Sequence, residues 1–537
     1  MVFTLDGIVK HRNSNGIAKY KIKDSFGTVK ELTSKQVKTL ISQGNIVDGL
    51  EIRSGKLFRV KDVNKYSTRK QKPIPGISYA TGKTLEAFVT NNIALRFKPR
   101  KFILDIVNFC TDINYNKVMI LHGIRRTGKT TSIIQTINIL INSGIKSEDI
   151  IYITISGNNV RMEALVNFIE DSQAKYIFID EITRVDDFYS QASVLSDILA
   201  VFKRIVITGT DSFVFPASLK TNLYGRADVI HSTLVPYKEY IDLFNVNPDN
   251  ALDEYKLNGG TLLKSEFYND DAVYKTLRAV VIQNIKNSIQ RGTECDSTLS
   301  KLTDEQLMYL IFNYIFMATM PKDSSSVIND RKALNQKITD TLAQISGSSS
   351  YINDYKTYNI PKGAAKAVLE ALYELDILGH IFNVTIESED LKKQNTIELI
   401  AMIQALANET LSYNSQQGKS LGFSFENMII ANVIMWSRHS KCNVGFAKYI
   451  ENGTQHEIDL IVQRSISYEK HNICIEIKHS NKVESSFAKH LTHPSLEKAV
   501  GNVDKRIIVY RGNTIYNRGI HYVNAHEFLM NLESWLS

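Results

Sequence analysis

The sequence is poor in cysteine, in proline and in long apolar runs. Its 537 residues hold four cysteines, Cys110, Cys295, Cys442 and Cys474, widely scattered and without a CxxC pair. That spacing argues against a structural zinc module and for a reducing, cytoplasmic setting. No apolar run reaches the ~18 residues needed to span a bilayer, so no membrane association is expected. The first residues, Met1-Val2-Phe3-Thr4-Leu5-Asp6, lack the charged and then apolar order of a signal peptide, and none is expected. Acidic residues are scarce in one place. Residues 1–76 hold 16 Lys and Arg against 6 Asp and Glu, net +10, while the whole chain nets +8. The basic excess therefore sits in the first seventh of the chain. Such a bias is a footprint of polyanion binding, and equally the mark of a solvated lysine-rich module. Hydrophobic content of 43% and charged content of 22% exclude an intrinsically disordered chain.

At roughly 100–200 residues per domain the length predicts three or four domains. Residues 1–62 read as a small β-rich module. Ala18–Ile22 and Gly55–Val60 alternate as strands do, and Ser34 caps a short helix near Ser34–Ser42. Residues 63–76, with Lys65, Arg69, Lys70, Lys72, Pro73 and Pro75, read as a linker. From 117 to 210, apolar strands (Lys117–Leu121, Ile150–Ile155, Lys175–Ile179, Arg204–Thr208) alternate with helices, the pattern of a parallel sheet covered on both faces. Residues 225–420 are mostly helical. Within them Ala364–His380, followed by Ile381–Val384, suggests a winged helix.

Gly123-Ile-Arg-Arg-Thr-Gly128-Lys129-Thr130 follows an apolar strand and opens a helix to about Ile141, the setting a phosphate-binding loop needs. Glycines 123 and 128 let the backbone wrap the phosphates. The loop N–H groups, with Arg125, Arg126, Thr127 and Thr131 around them, present positive potential to ATP. Lys129 is expected at the β- and γ-phosphates, and the Thr130 hydroxyl on Mg²⁺. Ala80-Thr81-Gly82-Lys83-Thr84 also ends in Gly-Lys-Thr, but its upstream glycine is one residue too far away, and it reads as a helix start. Tyr176–Glu181 is an apolar strand ending in two acids. Asp180 is placed to hold Mg²⁺, and Glu181 to polarise the attacking water. Thr208 is the expected sensor of the γ-phosphate at the next strand end. Arg226 could stabilise transition-state charge in its own or a neighbouring subunit, or form an ordinary ion pair.

In the last part of the chain, Glu476 and Lys478 lie two apart on a strand and share a face. His456–Val462 is a strand carrying Asp459, and Phe425-Glu426 begins an apolar helix. A cross-strand salt bridge would also explain the pair. Eight of the twelve histidines fall in 421–537, and His456 and His479 beside the motif read as surface residues.

The Gly-x-Arg-Arg-x-Gly-Lys-Thr loop, Asp180-Glu181, Thr208-Gly209-Thr210, and Tyr224-Gly225-Arg226 followed by Val235–Tyr240 come in a telling order. Over about residues 90–537 the chain resembles prokaryotic AAA+-like P-loop ATPases with a C-terminal restriction-endonuclease-like, PD-(D/E)xK domain. The resemblance implies a multidomain α/β fold: the basic module 1–62, the linker 63–76, an ATPase domain over 77–245 with a parallel sheet, a helical lid and winged helix over 246–420, and a nuclease-like α/β domain over 421–537. It also implies Asp459 and Glu476 as ligands of Mg²⁺ or Mn²⁺, Glu426 as a supplementary ligand, and Lys478 as the catalytic lysine. The expected function is an ATP-regulated DNA nuclease of mobile-element or defence biology, in which Arg226 allows for a homo-oligomer. The alternatives are a nucleotide-dependent switch that binds protein or DNA without cutting, and a ring-forming translocase.

Overall fold

The alternating stretch Ala18–Lys23 is a strand, as its period of two requires. The computed structural model describes residues 2–10, 18–23, 29–42, 46–48, 50–53, 56–59, 74–112, 117–124, 127–157, 159–209, 223–232, 234–260, 262, 285–286, 289, 298–318, 363–385, 397–411, 417–440, 442–451, 453–466 and 469–537. They fall into two units, 1–72 and 73–537.

In the first unit β1 (Val2–Lys10), β2 (Ala18–Lys23), β3 (Val29–Thr33) and β4 (Ile46–Asp48) form one sheet in the order β3-β2-β1-β4. β5 (Leu50–Arg53) and β6 (Lys56–Arg59) form a separate antiparallel pair. The expected helix spans Ser34–Ser42. Most of the expected linker lies outside the described residues.

The second unit begins with β7 (Ile77–Thr81), β8 (Val118–His122), β9 (Ile150–Ile155), β10 (Tyr176–Asp180), β11 (Arg204–Gly209) and β12 (Ala227–His231) in the order β12-β8-β11-β10-β9-β7. Five strands run parallel, and β7 pairs antiparallel with β9 at the edge. The sheet is therefore mixed, not purely parallel as expected. The decoy Gly82-Lys83-Thr84 opens the helix Gly82–Thr90 after this edge strand. Successive side chains enter opposite cores. Ile177, Ile179, Ile205 and Ile207 join the helix Met162–Asp171. Phe178, Val206, Met119 and Leu121 join the helix Lys129–Asn142. Each fully buried side chain of this kind contributes about 1.5–3 kcal/mol.

The other sheet contains β13 (Leu378–Asn383), β14 (Ile397–Ala401), β15 (Asn443–Glu451), β16 (Thr454–Ile466), β17 (Glu469–Lys478), β18 (Asn502–Tyr510), β19 (Ile515–Asn517) and β20 (Ile520–Asn524), in the order β14-β13-β15-β16-β17-β18-β20-β19. The helix Ala364–Glu374 does precede the antiparallel pair β13–β14. That pair extends the C-terminal sheet, because β13 also pairs with β15. The sheet thus crosses the boundary expected at 420/421. One apolar core holds Tyr237, Tyr240 and Tyr255 together with Phe425, Ile475, Ile477 and Phe528. Among the described residues no helix is long and apolar enough to cross a membrane, and Cys110, Cys442 and Cys474 are free thiols.

Polar ties reinforce that shared core. Arg511 donates to both carboxylate oxygens of Asp253, at 3.0 and 2.6 Å. These bonds hold the Asp253 carboxyl below its ordinary value, with burial opposing. Its contribution to stability is therefore present above pH 3.8 and lost as pH falls through the lower folded value. Asp253→Asn should destabilise the protein at neutral pH by under about 1 kcal/mol, the pair being half exposed. Melting curves from pH 3 to 7 should show the gap to wild type closing at the acid end, and a pH-independent gap would contradict this.

Candidate nucleotide site and C-terminal acid–lysine centre

β8 ends at His122, and the chain turns through Gly123 and Gly128 into the helix Lys129–Asn142. Gly128 has φ +86°, and a Cβ there would meet Leu262 Cδ1 at 3.1 Å. Both facts favour glycine. Lys129 is buried, and its amine donates to the carbonyls of Gly123 at 2.6 Å and Ile124 at 2.8 Å. It thus lies along the loop, where its charge can meet a phosphate. The Thr130 hydroxyl donates to Asp180 Oδ2 at 2.7 Å. Tyr152, which the sequence reading missed, donates to the same oxygen at 3.1 Å. Burial raises the Asp180 carboxyl, with Thr130 opposing and Glu181 adding to the rise.

Glu181 follows with φ +62°, a strained conformation for a residue with a Cβ. Arg184 Nε lies 3.8 Å from its carboxylate. Thr208 is level with Leu121 on β8, at the same end of the sheet as Asp180. Thr208 is fully buried, and its hydroxyl has no hydrogen-bond partner among the described residues. Thr131 lies in the first turn of the helix. Arg125 and Arg126 lie outside the described residues. Arg226 Nε stands 3.3 Å from Asp197, both half exposed, so of the two roles open to it the structure shows the ion pair.

The back of the loop depends on a residue the motif does not contain. Arg100 is 5% exposed. Its guanidinium takes Glu239 as a bidentate partner at 2.8 and 3.0 Å, and donates to the carbonyls of Thr127, Ser232 and Leu234. The Thr127 hydroxyl bonds Ser232 Oγ at 2.8 Å and the Ile124 carbonyl at 2.9 Å.

Residues 115–241 match the family model of an AAA domain. This part of the chain is an AAA-like P-loop ATPase domain. Residues 421–528 match a domain of unknown function, DUF4143. An uncharacterized protein of Haemophilus influenzae is 26% identical over 182 residues, 31% of this chain and 44% of that protein. The chain thus spans less than half of that relative. An uncharacterized protein of Methanocaldococcus jannaschii is 22% identical over 409 residues, 74% of this chain and 82% of that protein. Among solved structures, the Walker-type ATPase PABY2304 of Pyrococcus abyssi is 14% identical, covering 59% of this chain and 99% of that chain with a TM-score of 0.30. At that score the two share too little to argue from.

Outside the AAA-like domain, a second polar centre forms where β16 and β17 part. Their pairing ends at Leu460 and Ile475. A register shift against β15 falls between Ile458 and Ile461, and such a bulge re-aims the side chain it carries, here Asp459. Asp459 Oδ2 accepts from the backbone N–H of Ile477 at 2.7 Å and from Lys478 Nζ at 3.2 Å. Lys478 Nζ also lies 2.5 Å from Glu476 Oε2. Glu476 is 1% exposed and its Oε1 has no partner. Burial, and then the charge of Asp459, push the Glu476 carboxyl well up. Burial works to lower Lys478, but the two carboxylates outweigh it and keep the ammonium charged. Glu426 is not gathered here. Its helix, Gln417–Ser437, packs through Phe425 with Ile475 and Ile477, on the face of β17 opposite Glu476. Among the described residues no three His, Cys, Asp or Glu side chains form a group that could hold a metal ion.

Arg100→Met should lower stability by about 3–5 kcal/mol, because Glu239 would stay buried without its countercharge, keeping only the Lys101 N–H. The double variant Arg100→Met, Glu239→Leu should recover part of that loss. Denaturant unfolding of both measures it, and a double variant no better than the single one would refute the pairing.

Proposed function

We propose that the chain binds and hydrolyses ATP and couples this to metal-dependent cleavage of nucleic acid, with DNA as the substrate class, at the centre of Asp459, Glu476 and Lys478. The observation that carries the second half is Glu476: a nearly fully buried carboxylate with one oxygen unpaired, set against Asp459. Natural proteins seldom leave such an atom without a partner.

At the nucleotide site, Lys129 and the loop N–H groups bind the phosphates. Glu181 takes the proton of the water that attacks the γ-phosphorus, and ADP leaves. Thr130 and Asp180, already hydrogen-bonded to each other, fit Mg²⁺, which when bound screens the phosphate charge. At the C-terminal centre, Asp459 and Glu476 fit one divalent ion, Mg²⁺ or Mn²⁺, which when bound would screen both carboxylates and the substrate phosphate. Lys478 steadies the attacking water beside them. The water oxygen bonds to phosphorus and gives up one proton to solvent, the bond to the leaving sugar oxygen breaks, and that oxygen takes up a proton from solvent in exchange.

A chain of polar contacts supports ATP control. The His122 ring, one residue before the loop, lies 4.2 Å from the His231 ring. His231 Nδ1 meets Asp376 at 3.1 Å, and Arg438 meets the other oxygen of Asp376 at 2.7 Å. Arg438 follows directly on the helix that carries Glu426. Burial, and then the neighbouring His231, lower His122 to about 3, so it is a neutral link. The net charge of +10 on residues 1–76 supports a polyanion as substrate. The second reading, a switch that does not cut, is favoured by the Lys478 ammonium lying against both carboxylates where a metal would otherwise go. A homo-oligomer through Arg226 and a cytoplasmic location belong to the same proposal.

Plasmid and single-strand cleavage with Mg²⁺ or Mn²⁺, with and without ATP, separates the two readings. Cleavage should vanish in Glu476→Ala, by at least ~100-fold as for the loss of a group acting directly on the reaction, while ATP hydrolysis stays. Lys129→Ala should abolish ATP hydrolysis and change cleavage. Intact ATP hydrolysis with no cleavage under any condition would leave the switch.

A further inference from the structure

Glu476 and Lys478 face the same side of the sheet as Cys474, since Ile475 and Ile477 enter the opposite core. That side is covered by the connection from β17 to β18, whose Phe487, Leu491 and Leu496 pack with Tyr449, Ile458 and Cys474. Three histidines meet there. His456 is 4% exposed and stacks on Tyr449, with ring centroids 5.2 Å apart. The same connection brings the His493 ring to 4.1 Å and the His490 ring to 5.7 Å from it. The Nδ1 atoms of His456 and His490 are buried and have no hydrogen-bond partner. With Glu476 Oε1, three orphaned polar atoms from three segments collect on one face, around the two-carboxylate centre.

The two histidine nitrogens call for a ligand other than the centre's metal. The histidines and acids do not form a group of three that could hold a metal ion. An imidazole Nδ1–H, by contrast, is a donor, and a buried donor is satisfied by an anionic oxygen. We propose that His456 and His490 form a phosphate subsite that receives the non-bridging oxygens of a nucleic-acid strand and sets it against Asp459, Glu476 and Lys478. The inference rests on the nucleic-acid reading of that centre. Lys489, next to His490, and Lys482 lie on the same connection and add positive charge for the strand's other phosphates. His490 is held below its ordinary value, by burial first and then by His456 and Lys478. Lys478 adds positive charge beside it.

The test is made on the full chain without metal, so that nothing is cut. Binding of a fluorescein-labelled DNA 12-mer is followed by anisotropy, and histidine modification by diethyl pyrocarbonate is mapped by mass spectrometry. Bound DNA should slow modification of His490 about tenfold, the equivalent of one hydrogen bond to a charged group, and leave His471 and His521 unprotected. With metal restored, His490→Gln should raise KM for cleavage by a similar factor at unchanged melting temperature. His490 modified at an unchanged rate while the DNA is bound would overturn the subsite and leave the nucleic-acid reading standing. A wild type that binds no DNA would overturn both.

Discussion

The structure turns on the burial of one guanidinium. Arg100 carries a full positive charge into an almost dry place, which costs several kcal/mol unless every donor finds an acceptor. Here each does: Glu239 takes two N–H groups, and the carbonyls of Thr127, Ser232 and Leu234 take the rest. Those acceptors belong to the phosphate loop, to the end of the strand beside it, and to the start of the helical region. One side chain thus ties three segments together, alongside the Thr127–Ser232 hydroxyl contact. The loop's Thr127 carbonyl is thereby held from behind. Pre-organisation of this kind is what makes a phosphate loop bind rather than merely permit binding.

The same constraint links the phosphate loop to the core that lies beneath the C-terminal centre. Residues after Leu234 run straight into the core that also holds Phe425, Ile475 and Ile477. Tyr237 shows the junction most clearly. Its N–H donates to Asn432 at 2.8 Å and its hydroxyl meets His526 at 2.7 Å. Asp253, Arg511 and His479 make another link, with Arg511 3.3 Å from His479, the neighbour of Lys478. Close-packed interiors do not deform smoothly. The Arg100–Glu239 pair is thereby tied to the helix Tyr237–Phe244, which shares one core with the helix that packs on β17.

Much of the nucleotide site was legible because its chemistry is local in sequence. Gly128, Lys129 and Thr130 are consecutive, and Asp180 closes an apolar strand whose pattern announces itself. Glu476 and Lys478 were legible for a similar reason, since a spacing of two puts both on one face. Asp459 could be named from the strand it sits on, but not the bulge that turns it inward. Arg100 and Glu239 are 139 residues apart, and nothing in either neighbourhood marks them as partners. β7 and β12 were missed because an edge strand need not be apolar on both faces: β12 is half-buried throughout apart from exposed His231. The pair β13–β14 was read as a wing because its local pattern is that of any hairpin. Only the pairing of β13 with β15, set by side chains far along the chain, assigns it to the C-terminal sheet. Glu426 was placed by its order in the sequence, and the opposite face of β17 is not visible there.

The acid–lysine centre shows how one geometry serves two states. Two carboxylates in a buried pocket repel, and the ammonium of Lys478 holds them together at 3.2 and 2.5 Å. Even with that cation beside it, burial and then the charge of Asp459 push the Glu476 carboxyl well up. On the proposed reading, Asp459 and Glu476 would hold a divalent ion, whose charge would neutralise both acids in place of the ammonium. On the proposed nuclease reading, Lys478 would then be free to face the substrate phosphate. On that reading, the lysine's place in the resting centre and its place in catalysis would be one electrostatic requirement met by two different cations. That is why lysine, a mobile point charge on a long stem, suits position 478 better than arginine, whose planar fork would stay bidentate to an acid.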